Sequence, residues 1–330
     1  MASIMGSGAY QYEFVDGWGK LPDGWLYGEV AAVGVDSKDN VYVFNRGAHP
    51  MIVFDREGKF LRSWGEGIFH RAHGIHVGPD DTLYCTDDGD HTVRLFTTMG
   101  KLLLEIGVPE KPSGYMSGLP FNRCTHTALS PEGDIYVSDG YGNSCVHKYS
   151  PNGKRLFTWG GPGTGPGEFN IVHNMVTDDH GYVYVADREN HRVQVFDGKG
   201  RYEGQWGNMH RPCGLCMTRG PEPVCFIGEL GPAQRVNMEV PNIGPRISIV
   251  TRKGELISRI GDRTSATNLS KFIAPHGIAF DSRGDIYLGE VSRTNLTGIG
   301  KPPPPDQDPP CFSKLRKVAG AGGGAGTIRF

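Results

Sequence analysis

No stretch of this 330-residue chain is apolar and long enough to cross a bilayer, and the first ten residues are too short and polar for a secretory signal. Charge of one sign is also missing. The 34 Lys and Arg residues are scattered among 36 Asp and Glu for a formal net charge of -2, leaving no basic stripe for nucleic acid or an anionic membrane. Seven cysteines, an odd number without scaffold spacing, exclude a disulfide framework and fit a reducing compartment. The expectation is a soluble, cytoplasmic chain whose partner is a small molecule or a short peptide. Helical periodicity is absent too. In its place stand 49 glycines and 23 prolines at regular turn positions, the composition of many short strands joined by tight turns.

Laid against itself at a period of roughly 40 to 50 residues, the chain shows six copies of one pattern. The second strand of each copy reads NVYVFNR (40–46), TLYCTDD (82–88), DIYVSDG (134–140), YVYVADR (182–188), PVCFIGE (223–229) and DIYLGEV (285–291). Turns such as Asp36-Ser-Lys-Asp-Asn40 and Asp281-Ser-Arg-Gly-Asp285 precede most of them. Four antiparallel strands repeated six times predict an all-β fold, a six-bladed β-propeller, because each twisted sheet buries its faces only against its neighbours around a ring. Blade six lacks a fourth strand after residues 312–318, while residues 10–16 form a spare strand ahead of blade one. Pairing the two closes the ring and removes both exposed edges. The domain expectation is one propeller over residues 9–318, a disordered leader over 1–8 and a low-complexity Ala/Gly tail over 319–330. Residues Tyr184-Val-Ala-Asp187 and Asn190-His-Arg-Val193 of blade four resemble NHL repeats.

One end of the propeller receives the long, irregular loops, including two neighbouring inserts at 230–245 and 292–310, and so is expected to carry function. At that end three inner strands open with a histidine: His73, His173 and His276, in blades two, four and six. Blades one, three and five have Ala31, Thr125 and Cys213 there. Adjacent blades are rotated by roughly 60°, so alternate blades set the three imidazoles roughly 120° apart, a facial site suited to Zn²⁺ or another divalent transition metal. The loops after the second strands carry Arg46, Tyr141 and Arg188 to the same end. On pattern alone these fit either ties between blades or a general base with arginine clamps. Arg192 falls on the repeat consensus and reads as structural, and Cys213 and Cys216 read as core or wall. His126, beside Thr125, and His49, after Arg46, are candidate substrate contacts.

Nearly the whole chain resembles peptidyl-α-hydroxyglycine α-amidating lyase, through Phe44-Asn-Arg-Gly-Ala-His49, Ala72-His-Gly74, Val137-Ser-Asp-Gly-Tyr-Gly-Asn-Ser144, Pro166-Gly-Glu-Phe169, His173, Ala186-Asp-Arg-Glu-Asn190 and Pro275-His276. The resemblance implies a six-bladed propeller with a zinc site. By it, His73, His173 and His276 are the metal ligands, Tyr141 is the general base, and Arg46 and Arg188 stabilise tyrosinate and substrate. Two departures stand out. The family's calcium-binding aspartate after the third histidine is replaced by Gly277, which weakens the case for a structural Ca²⁺, although Val30 and Ile75 offer carbonyls. Its disulfide beside the tyrosine is replaced by Asn122 and Gly142.

The function implied is a metal-dependent lyase that cleaves the C–N bond of an α-hydroxy amide, peptidyl-α-hydroxyglycine-like or ureidoglycolate-like, to a carbonyl and an amide. Two other readings use the same mouth: a zinc-dependent hydrolase of a lactone, ester or amide, and a non-catalytic NHL propeller that binds a protein or peptide.

Overall fold

The computed structural model describes residues 4–261, 272–305 and 307–318. Six antiparallel sheets succeed one another along the chain, with inner strands Val30–Val35, Ala72–Val77, Cys124–Leu129, Val172–Thr177, Pro212–Met217 and Pro275–Phe280. Each inner strand packs on the next, and the last, Pro275–Phe280, packs on the first, Val30–Val35. The fold is the six-bladed β-propeller expected.

Local chemistry repeats with the blades. In blades one, four and six an aspartate closes the turn after the inner strand. Asp36 Oδ1 accepts the N–H groups of Lys38 and Asn40 while Oδ2 accepts the Tyr42 hydroxyl, and Asp178 and Asp281 do the same for Tyr184 and Tyr287. The buried tyrosines thereby meet their hydroxyl requirement inside the sheet stack. At the opposite end of the second strand an acid holds the incoming link in blades two to six, and in blade one Asn45 does so by accepting the Gly28 N–H. Asp87 accepts from the backbone N–H groups of His70 and Arg71, Asp139 from Asn122, Asp187 from Asn170, Glu229 from His210, and Glu290 from Ile273 and Ala274. These side chains fix where each inner strand begins, and therefore where the mouth residues sit.

Ring closure is as expected: Tyr10–Phe14 pairs with Phe312–Lys317, in the register Tyr12↔Lys317 to Phe14↔Leu315. The leader departs from its expectation. Met5–Ser7, predicted as disordered, is a fifth strand of blade six, paired Met5↔Tyr12 to Ser7↔Tyr10, with Ser7 bonded to Ser258 of blade five. Hydrogen bonds to a strand already held in the ring supply the order that its polar, glycine-containing sequence does not advertise. The blade-six insert departs as well, since Ser292–Gly298 is an α-helix, α1. The Ala/Gly tail from residue 319 and the loop at 262–271 lie outside the described residues.

Candidate active site at the channel mouth

All six inner strands break register at the residue that begins the mouth. The irregularity falls between Val30 and Ala32, Ala72 and Gly74, Cys124 and His126, Val172 and Met175, Pro212 and Gly214, and Pro275 and Gly277. A bulge re-aims the side chain it carries. In blades two, four and six that side chain is His73, His173 or His276, and the three rings converge with centroids 4.9, 4.9 and 4.7 Å apart. One ligand atom from each lies within 4.8 Å of the others. The alternate-blade placement read from the sequence is thus present as geometry.

The odd blades complete it. His73 Nδ1 lies 2.7 Å from the carbonyl of Thr125, His173 Nδ1 2.9 Å from that of Cys213, and His276 Nδ1 2.5 Å from that of Ala31. Each histidine is therefore tied to the next blade around the ring, at the homologous residue. Donation from Nδ1–H to a carbonyl fixes the tautomer and leaves Nε2 with its lone pair, the arrangement a metal-binding imidazole needs. Burial holds all three imidazoles well below the usual range, helped for His73 by the other two rings, for His173 by His276 and Arg188, and for His276 by Arg46. Three neutral, oriented, buried nitrogens at this spacing fit a divalent transition metal.

Tyr141 reaches the same point. Its hydroxyl lies 3.0 Å from His73 Nε2 and 3.1 Å from His173 Nε2, and accepts from Arg188 Nη1 at 3.3 Å. Gly140 permits this turn, because a Cβ there would sit 1.7 Å from the carbonyl oxygen of Val172. Arg188 is held by Glu189 at 2.8 Å. Arg46 donates from Nε to the Ala72 carbonyl at 2.9 Å and pairs with the buried Glu29 at 3.3 Å. These residues open on a cavity of about 310 Å³ whose lining includes Arg46, Tyr141, Arg188 and His276 together with Leu230, Val291 and α1.

The other expected contacts lie elsewhere. His49 stacks on Trp25, with ring centroids 3.3 Å apart, and pairs with Glu66, so it does not line the mouth cavity. His126 follows the bulge and points down the channel, where Nε2 lies 3.2 Å from the Ile75 carbonyl and the ring lines a separate cavity of about 780 Å³ toward the other end. It occupies one of the carbonyls counted for calcium, and a Cβ at Gly277 would fall 2.5 Å from Ala32 Cα. The residues present do not fit a calcium ion there. The disulfide positions adjoin as the resemblance implies. A Cβ on Gly142 would touch the Asn122 side chain, whose Nδ2 instead donates to the Ser113 carbonyl. All seven cysteines are free. Arg192 bonds to Asp187 inside its blade, consistent with a structural role, while Cys213, read as core or wall, is buried with Sγ 3.3 Å from His173 Nδ1. Sequence reasoning missed Glu29 and the lining arginines Arg71, Arg123 and Arg211.

An NHL-repeat model matches residues 121–149 and 169–196. NHL repeat-containing protein 3 of Homo sapiens is 32% identical over 299 residues, covering 85% of this chain and 81% of that protein. The chain belongs to the NHL-repeat, amidating-lyase-like family. Within this family, peptidyl-alpha-hydroxyglycine alpha-amidating lyase 1 of Drosophila melanogaster is 29% identical over 262 residues, covering 71% of this chain and 45% of that protein. Among solved structures, a gluconolactonase from Xanthomonas campestris matches with a TM-score of 0.56 at 11% identity over 95% of this chain and 94% of its own, a likeness of fold alone.

Proposed function

We propose that this propeller is a metal-dependent carbon–nitrogen lyase, which splits an α-hydroxy amide bearing a carboxylate into a carbonyl product and a primary amide. The observation that carries this is the meeting of three neutral histidine nitrogens with Tyr141 and Arg188 at one point of the channel mouth. A divalent ion held by His73, His173 and His276 would supply Lewis acidity to the substrate hydroxyl. Tyr141, as tyrosinate, takes the hydroxyl proton, and Arg188 donates to the same oxygen. The O–H electron pair becomes the second bond of the carbonyl, the C–N bond breaks toward nitrogen, and the tyrosine proton passes to the leaving amide nitrogen. No solvent atom enters. Arg46, braced by Glu29 through Nη1 and by the Ala72 carbonyl through Nε, offers Nη2 and the remaining N–H of Nη1 to the substrate carboxylate, whose pairing with a guanidinium is bidentate in geometry.

N-benzoyl-α-hydroxyglycine tests the reading with zinc-loaded protein. Benzamide plus glyoxylate in equal amounts is the expected product set. Benzoate would show hydrolysis of the amide, and the absence both of turnover and of retained metal would leave a binding propeller.

A further inference from the structure

Three more arginines line the mouth cavity: Arg71, Arg123 and Arg211. They share one repeated place, directly before the inner strands of blades two, three and five, where blades one, four and six have Glu29, Ile171 and Ala274. A cavity of about 310 Å³ is thus faced by five guanidinium groups. Among the described residues, three carboxylates pair with them: Glu29 with Arg46, Glu189 with Arg188 and Arg211, and Asp88 with Arg71 and Arg123. Two of these carboxylates are shared, so the five guanidinium groups outnumber the carboxylates paired with them by two. Like charges crowded into one partly desolvated site repel strongly, so such an excess points to an anionic ligand.

The arginines form two tiers. Arg46 and Arg188 have side chains only 9% and 12% exposed and sit beside the histidines and Tyr141. Arg71 and Arg123 are 34% and 44% exposed and meet on the fully buried carboxylate of Asp88. Among the described residues Arg71 uses only Nη1 and Arg123 only Nη2 in side-chain hydrogen bonds, so each fork keeps free donors. The Arg123 guanidinium lies 4.7 Å over the Tyr141 ring, so the outer tier adjoins the residue whose hydroxyl meets the histidines.

We propose that the substrate carries two carboxylates, one on the hydroxyglycine unit and held by the inner tier, the other on the group directly preceding it and selected by Arg71 and Arg123. This rests on the lyase reading for the identity of the first carboxylate. The preferred substrate class is an α-hydroxyglycine amide of an acidic residue or of a dicarboxylic acid. Leu230, Val291 and Ile299, which line the same cavity, offer apolar surface to the connecting methylene groups.

Isothermal titration of the full zinc-loaded chain with three unreactive dipeptides tests it: N-acetyl-Asp-Gly, N-acetyl-Asn-Gly and N-acetyl-Leu-Gly. The aspartyl compound is expected to bind at least tenfold tighter than its asparaginyl isostere, with a gap that narrows at high salt. In Arg71→Gln the gap is expected to fall to within twofold. Arg123→Lys, which keeps the charge and the ring contact but loses the fork, is expected to retain an intermediate preference, and melting curves confirm that each variant is folded. Equal affinities for the aspartyl and asparaginyl compounds in the wild type, or tightest binding of the leucyl compound, overturns the proposal. The two readings fail separately. Acid preference without turnover of any α-hydroxyglycine amide removes the lyase and leaves the outer tier, whereas turnover without acid preference removes the outer tier alone.

Discussion

Through a single oxygen Tyr141 contacts two imidazole nitrogens and one guanidinium, so the phenol and the histidines are separable experimentally. Tyr141→Phe keeps the ring and all three histidines; bound metal is expected to stay near one equivalent while kcat falls about 10²- to 10⁴-fold, the range for a lost general base. His173→Ala is expected to lose the metal itself, read by elemental analysis of the purified protein, because two imidazoles do not complete the facial set. A different residue governs pH. Burial pushes the Glu290 carboxyl up to about 7, against backbone donation from Ile273 and Ala274 that favours its anion. The folded state therefore holds this proton more tightly than the unfolded chain, and stability from it declines as pH rises from the ordinary carboxylate range through about 7. Glu290→Gln is expected to raise the melting temperature at pH 8 and to lose most of that advantage at pH 5; at ~1.4 kcal/mol per unit the gap is on the order of 3 kcal/mol. His126 works in the opposite sense. Burial lowers it to about 4, so its contribution is lost as pH falls from the ordinary imidazole range toward that value.

Helix α1 carries a connection that no pattern in the sequence announced. Thr294 donates its N–H to Glu29 at 2.6 Å and its hydroxyl at 2.7 Å, and Glu29 in turn braces Arg46 beside the histidines. The insert of the last blade thereby sets the position of an arginine in the first. Thr294→Val removes one of these bonds while keeping volume and the backbone donor. Its expected effect is about 1 to 2 kcal/mol on the placement of Arg46, the worth of a hydrogen bond to a charged group. That appears as a rise in KM of roughly tenfold with little change in melting temperature, since α1 lies outside the stacked sheets. The sequence did place this insert beside that of blade five at the mouth. It concealed the helix because seven residues bounded by irregular chain are too few for a periodic signal.

At the scale of the whole ring, stability rests on closure. Tyr12 is fully buried and Tyr10 nearly so, in the strand that supplies the outer part of blade six. Removing residues 1–14 would expose the Phe312–Lys317 edge and forfeit about 1.5 to 3 kcal/mol for each such aromatic. A fall in melting temperature of about 10 °C or more, with aggregation that grows with concentration, is expected by calorimetry and light scattering. The same ring separates what was legible in the chain from what was not. Alternating strands, recurrent turns and histidines confined to even blades are local or periodic facts, and they determined the propeller, its closure and the convergence of His73, His173 and His276. The carbonyl clamps from Ala31, Thr125 and Cys213, the turning of His49 and His126 away from the mouth, and the tie from Thr294 through Glu29 to Arg46 join residues up to 265 positions apart. Only the tertiary structure decided those, because they depend on how a bulge aims a side chain and on which blades become neighbours once the ring has closed.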